Sequence, residues 1–222
     1  MTSVTRAPAK QDAMYRPNQS AIDDPETLRH AMAEIGFAAL VTPHAEGIEI
    51  SHLPVVLREE AGQTVIETHM ARANAHWKLA GARSVLIFQG PQAYVSPSFY
   101  PSKQEHGKVV PTWSYIVVHA HGAFETFDGA AELGGHLNAL THRHEAGRAE
   151  PWSVADAPVP YIAALKRGII GLRFMASRLE GKWKVNQHRS AEDQRGTYEG
   201  LMGSGEQGVD LAQALASFSV RT

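Results

Sequence analysis

The sequence predicts a mainly β fold with peripheral helices (α+β), either a barrel or a strongly curved antiparallel sheet. Three observations lead there. Short runs rich in Val, Ile, Leu and Phe, each bounded by Gly, Pro or polar residues, dominate the middle of the chain. Helical patterns stand at the start and are inserted late. Long helices do not alternate regularly with strands, which argues against a doubly wound parallel sheet.

The elements follow in order. Asp24 can cap a first helix, Pro25 suits its first position, Leu28, Met32 and Ile35 follow near helical spacing, and Gly36 stops it. Strand-like runs come next at Phe37–Thr42, Ile48–Leu57, Thr64–His69, Ser84–Gln89 and, shorter, Ala93–Ser96. A short helix is expected between Met70 and Ala82. Pro97 to Thr112 reads as a long ordered loop or lid, a kind of segment that often carries function. Ser114–Phe127 is the longest strand candidate, with Val117, His119, His121 and Ala123 on one face. A helix over Ala130–Glu145 has Asp128 as its cap, Leu133, Leu137 and Leu140 as its apolar stripe, and Gly147 at its end. Pro158–Lys166 reads as a shorter helix ended by Gly168. Ile169–Val185 reads as a strand pair turning at Glu180-Gly181. Ser190-Ala-Glu-Asp193 opens another helix in capping-box fashion, and Val209–Phe218 forms the last one. One domain is expected over 14–222, with a loose tail at 1–13.

Composition narrows the function. The chain has 222 residues, 43% of them hydrophobic and 20% charged, enough to bury a core rather than remain disordered. The net charge of -2 and the scatter of charges argue against a strongly basic nucleic-acid surface. The lack of cysteine excludes disulfides, thiolate metal sites and a cysteine nucleophile. No apolar run is long enough for a membrane helix, and the first residues lack a secretory core, so a cytoplasmic protein without membrane association is expected.

The common catalytic signatures are absent: no phosphate-binding GxxxxGK[ST], no GxGxxG, no GxSxG and no HExxH. Gly200-Leu-Met-Gly203-Ser-Gly205 follows no strand and reads as a loop. His119-Ala-His121 can place two imidazoles on one strand face, and His142-Arg-His144 sits near a helix end. The sequence supplies neither pair with a spaced third ligand, so no metal is expected and satisfied or interfacial histidines are the plainer reading. A strand, not a second helix, follows the first helix, so a DNA-reading helix-turn-helix is missing.

Three segments stand out together. Thr68-His-Met-Ala-Arg-Ala-Asn-Ala-His-Trp77 runs from a strand through a turn bearing Arg72 and Asn74 into a helix start, which is what a phosphate needs; an ordinary turn with a surface arginine reads equally well. Phe88 to Lys103 packs aromatics, hydroxyls and a lysine into a proline-stiffened loop. Val110-Pro-Thr-Trp-Ser-Tyr115 enters the long strand, where Trp113 can cover a flat ring and Thr112 can donate to a polar edge. For these last two, a structural aromatic cluster is the plainer reading of each alone.

Taken in order, these stretches resemble the PaiB-like family of FMN-binding regulators. The resemblance rests on Met14-Tyr-Arg-Pro17, His69-Met-Ala-Arg-Ala-Asn74 with Trp77, Phe88-Gln-Gly-Pro91, Tyr94-Val-Ser-Pro-Ser98, Tyr100-Pro-Ser-Lys103 and Val110-Pro-Thr-Trp113 with Tyr115. Arg178-Leu-Glu-Gly-Lys-Trp-Lys184 with Gln187 and Arg189 closes it. It implies a split β-barrel of the FMN-binding type, akin to pyridoxine phosphate oxidases and flavin reductases: six antiparallel strands, FMN at a subunit interface and a homodimer. The phosphate turn then falls on Thr68, His69, Arg72 and Asn74. Where the oxidases carry Ser, Arg and Lys, this chain has Arg72, Ala73 and Asn74, so a lysine from elsewhere, Lys103 or Lys184, is expected to help. Thr112, Trp113 and Gln187 complete the expected cofactor contacts. The resemblance further implies a negative transcriptional regulator acting on DNA or through a protein partner. An FMN-dependent oxidoreductase is the alternative, with His69 the first acid–base candidate and no catalytic residue assigned.

Overall fold

The computed structural model describes residues 14–60 and 62–219, so the expected tail at 1–13 lies outside the described residues. Eight strands form one antiparallel sheet: β1 (Ala21–Ile22), β2 (Phe37–His44), β3 (Gly47–Pro54), β4 (Val56–Glu60), β5 (Gln63–Ala71), β6 (Ser84–Val95), β7 (Thr112–Phe127) and β8 (Ile169–Lys184). Six helices surround it: α1 (Pro25–Ile35), α2 (Ser102–His106), α3 (Ala130–Glu145), α4 (Val159–Arg167), α5 (Ala191–Met202) and α6 (Glu206–Ser219).

The sheet order is β3-β2-β6-β7-β8-β5-β4, with β1 paired to β8. Its two edges are consecutive in the chain. β3 passes to β4 through Val55 alone, which is fully buried and donates its N–H to Gly36 O. The chain thus leaves one edge and joins the other, and the sheet curls round its core as a split barrel without closing its ladder. The core sits on the concave face. Phe88, Phe124, Phe174, Leu40, Ile66 and Ile116 are among its fully buried side chains, each stabilising the fold by about 1.5–3 kcal/mol.

Local chemistry sets several boundaries. Asp24 accepts from Thr27 N–H at 2.7 Å to cap α1, and Gly36 ends it at φ 62°. Ser190 accepts from Asp193 N–H and opens α5. Other expectations are corrected. The strand pair expected over Ile169–Val185 is one continuous strand, and Glu180-Gly181 is no turn: both residues pair with β7, and Gly181 also pairs with Ile22. A Cβ on Gly181 would lie 2.3 Å from Leu28 Cδ2, so the glycine admits α1 to the sheet. Ser84–Gln89 and Ala93–Ser96 join into β6 across a bulge at Gly90-Pro91, while Ile48–Leu57 divides at Val55. Asp128 does not cap α3, whose N-cap is Gly129; its carboxylate meets Arg72 instead.

The convex face is divided. α3 covers β5 and the first half of β8. Across β3, β2, β6 and β7, directly paired residues point the same way. Phe37, Ile48, Ile50, Tyr94 and Trp113, each 46–64% exposed, share this face with the partly covered Val41, Ile87 and Val117. His119, His121, Tyr115 and, across the ladder on β8, Glu180 and Lys184 belong to it as well.

Candidate functional site

The turn after β5 is fixed from beneath by a buried chain of polar groups. Ser84 Oγ donates to Ala82 O at 2.9 Å, so Thr42 Oγ1, 2.8 Å away, donates to Ser84 Oγ. Thr42 then accepts from His76 Nε2 at 2.8 Å. That leaves His76 Nδ1 as the acceptor for Ser51 Oγ at 2.9 Å, and Ser51 in turn accepts from Asn74 Nδ2 at 2.9 Å. Every proton position follows, and His76 is a neutral Nε2–H imidazole, its pKa pushed down chiefly by burial. Asn74 Oδ1 also caps the 3-10 turn Ala75–Leu79 by accepting from His76 N–H. Asn74 is therefore held by β3 as a buttress of the turn.

Arg72 sits on the turn's outer side. Its Nε donates to Arg167 O at 3.1 Å and its Nη2 meets Asp128 at 3.0 Å. With Lys166 and Arg167 it lines a cleft of about 580 Å³ between the turn, α3 and α4. Thr68 and His69 point to opposite faces of β5. Thr68 Oγ1 is turned inward and donates to Pro54 O at 2.7 Å. His69 is turned outward beneath α3, with Nδ1 3.0 Å from Nε2 of His136. The His136 ring is buried, its Nδ1 has no hydrogen-bond partner among the described residues, and Glu67 Oε2 lies 4.0 Å from that nitrogen. A bare lone pair facing the carboxylate would be repelled, so His136 carries its proton on Nδ1 and accepts from His69 Nδ1–H. His69 Nε2 is left with its lone pair. Burial pushes the His69 pKa down, and burial, with His69 and Arg58 adding to it, takes His136 down to about 4.

The other expected residues gather elsewhere. Lys184 Nζ donates to Thr112 Oγ1 at 2.9 Å and to Trp113 O at 3.0 Å, and lies 5.8 Å from the Tyr115 ring centre. Trp113 is half exposed, its Nε1 donating to Gln92 at 2.9 Å, with Tyr94 tilted beside it. Together they make a basic group beside an aromatic shelf, complementary to a phosphate or a flat polar ring. Gln187 is exposed but tied to its own chain, its Nε2 donating to Gln19 O and Trp183 O and its Oε1 accepting from Val185 N–H. Lys103, on α2, bonds Ser98 Oγ at 3.3 Å. Its loop is pinned by Asp193, which accepts from the N–H and Oγ of Ser102.

The expected residues thus form two groups. Gly171, opposite His69, and Lys184, opposite Tyr115, stand at the two ends of β8, thirteen residues and a contour of about 40 Å apart. Between them the groups hold guanidinium and ammonium donors that suit a phosphate and a half-exposed indole that suits a flat ring. Sequence reasoning missed His136, Glu67 and Glu180. His136 lies on the helix stripe it assigned to leucines. The two glutamates alternate with core residues on strands, a pattern that normally marks a solvated face.

Comparison with known proteins bears on the family and the fold. The family model described as "Putative FMN-binding domain" matches residues 14–178. An uncharacterized protein of Emericella nidulans is 33% identical over 215 residues, covering 81% of this chain and 84% of that one. Another, from Aspergillus fumigatus, is 38% identical over 148 residues, 59% of this chain and 57% of that protein. The Bacillus subtilis protease synthase and sporulation protein PAI 2 is 27% identical over 190 residues, covering 85% of this chain and 89% of that one. Among solved structures, the flavocytochrome Anf3 of Azotobacter vinelandii shares the fold, with a TM-score of 0.57 at 13% identity over 85% of this chain and 81% of that one. On the family match, which spans most of its length, this chain belongs to the FMN-binding domain family, with the split-barrel fold and FMN as its cofactor.

Proposed function

We propose that this protein is a homodimeric FMN-binding regulator of the PaiB type, in which the state of the flavin governs a negative regulatory role exerted through a partner or DNA. The observation that carries the dimeric site is the separation of the two residue groups along β8. A single ligand can meet Arg72 and Lys184 together only if a second copy supplies one of them. The exposed apolar face spanning Phe37, Ile48, Ile50, Tyr94 and Trp113 supports pairing through the sheet. The likeness to the sporulation protein supports the regulatory role. A net charge of -2 favours action through a protein partner over a broad DNA footprint.

The test has two parts. The absorption spectrum after FMN addition and desalting should retain both flavin bands at one FMN per chain, and sedimentation should give a dimer. A colourless monomer refutes the site. Partner capture or DNA binding that changes on flavin reduction supports the regulatory role, and indifference to reduction refutes it.

One observation favours a second reading, an FMN-dependent oxidoreductase. His69 offers a neutral imidazole with a bare Nε2, held in orientation by His136. Such a group can accept a proton from a bound substrate. Faster nicotinamide oxidation by the loaded protein than by free FMN, lost in His69→Gln, distinguishes this reading.

A further inference from the structure

His119 and His121 stand on one face of β7, and β8 brings Glu180 directly across from His119. One ligand atom from each of the three lies within 4.8 Å of the others. Glu180 is 3% exposed, and His121 Nε2 touches its Oε2 at 2.8 Å. His119 makes no hydrogen bond among the described residues; its ring meets the edge of His121 at 6.1 Å. Two partly buried imidazoles and a buried carboxylate converge here on the outer face of β7 and β8.

We propose that His119, His121 and Glu180 form a binding site for a divalent first-row transition cation of the zinc, cobalt or nickel type. Nitrogen and oxygen ligands of this kind suit those ions, which bind them at about 2.0–2.2 Å, with donor atoms then about 3–3.5 Å apart. The three donors, within 4.8 Å of one another, must draw together to reach that spacing. Three protein ligands leave at least one further coordination position for water or another ligand.

The surrounding charges shape the site. Arg178 Nη1 and Arg16 Nη2 both engage Glu180 Oε1, at 2.5 and 3.7 Å, and leave Oε2 facing His121. The Met14 N–H reaches Oε2 at 3.3 Å. Ligating carboxylates are commonly held by such outer hydrogen bonds. The same guanidinium groups repel a cation, which makes this a site of moderate affinity that tightens when one of them is removed.

The test uses tag-free full-length protein titrated with cobalt(II) and followed by visible absorption, with zinc(II) competition in calorimetry. The expected result is one cobalt ion per chain with ligand-field bands that zinc abolishes. His119→Asn should weaken binding at least tenfold; this imidazole makes no hydrogen bond among the described residues, so the fold should tolerate its loss, checked by an unchanged melting curve. His142→Asn should leave binding unchanged, and Arg178→Gln should strengthen it. Absence of the bands at millimolar cobalt would show that the trio is an ion-pair cluster only. Bands that persist in His119→Asn also overturn the assignment.

Discussion

Acidification between pH 6.5 and 4 should weaken this fold, and His136 should account for a defined share of the loss. Its ring is fully buried, and it lies in contact with His69 and near Arg58, so the native protein holds it neutral down to about pH 4. The unfolded chain releases the same imidazole to water, where it takes up a proton near pH 6.5. Protons therefore favour the unfolded state throughout that window, and stability that is full above pH 6.5 falls until the native histidine also titrates. Shifting one group from 6.5 to about 4, at about 1.4 kcal/mol per pH unit, amounts to about 3 kcal/mol, of which about 2 kcal/mol is lost between pH 7 and pH 5. The assay is urea unfolding of wild type and His136→Gln at pH 7 and pH 5. The variant starts less stable at pH 7, because the buried ring and its packing are lost, but its further loss on going to pH 5 is smaller by about 2 kcal/mol. Equal losses in the two proteins would show that His136 titrates normally in the fold and that its burial has been misjudged.

The remaining predictions address the site. Arg72→Ala should weaken FMN binding by about 1–3 kcal/mol through loss of a charge-assisted contact, read by flavin fluorescence titration; unchanged affinity removes Arg72 from the phosphate site. Trp113→Ala should lower FMN retention and alter flavin fluorescence, and an unaltered signal assigns the indole to packing alone. His76→Ala should cost about 2–4 kcal/mol in urea unfolding, because Thr42 loses its donor, Ser51 loses its acceptor and a cavity opens; a loss below about 1 kcal/mol would mean the polar chain is not cooperative. Ile50→Glu, at a position 53% exposed in the single chain, should give a folded monomer by sedimentation, whereas a persistent dimer would place the contact on another face.

Elements governed by local chemistry were legible in the sequence. Asp24, Pro25 and Gly36 bound α1 because a cap, a fixed φ and a left-handed stop act within a few residues of one another. Ser190 opens α5 for the same reason. The errors arose where distant packing overrode a local signal. Glu180-Gly181 reads as a turn, yet Gly181 is there because Leu28 of α1 occupies the space a Cβ would need. Asp128 is a suitable cap by position, but Arg72, fifty-six residues away, takes its carboxylate. The split of Ile48–Leu57 at Val55 was invisible because both halves are strand-like; only the curl of the sheet carries the chain from one edge to the other.

The site was legible as residue types and opaque as geometry. Thr68 and His69 are neighbours in sequence, and strand alternation sends one to Pro54 and the other to His136, so they cannot face the same ligand directly. Lys184 was proposed as a distant partner of the Arg72 turn, yet within one chain its ammonium is held by Thr112 and Trp113 at the far end of β8. A flavin that needs both Arg72 and Lys184 therefore needs two chains. In the homodimer proposed above, the exposed apolar face is where the second chain would dock. Dissociating the dimer should accordingly abolish flavin binding even with every contact residue intact, and Ile50→Glu, which alters none of the residues assigned to the flavin, isolates that dependence. If the monomer retained FMN at wild-type affinity, one of the two groups would have to be released from the site.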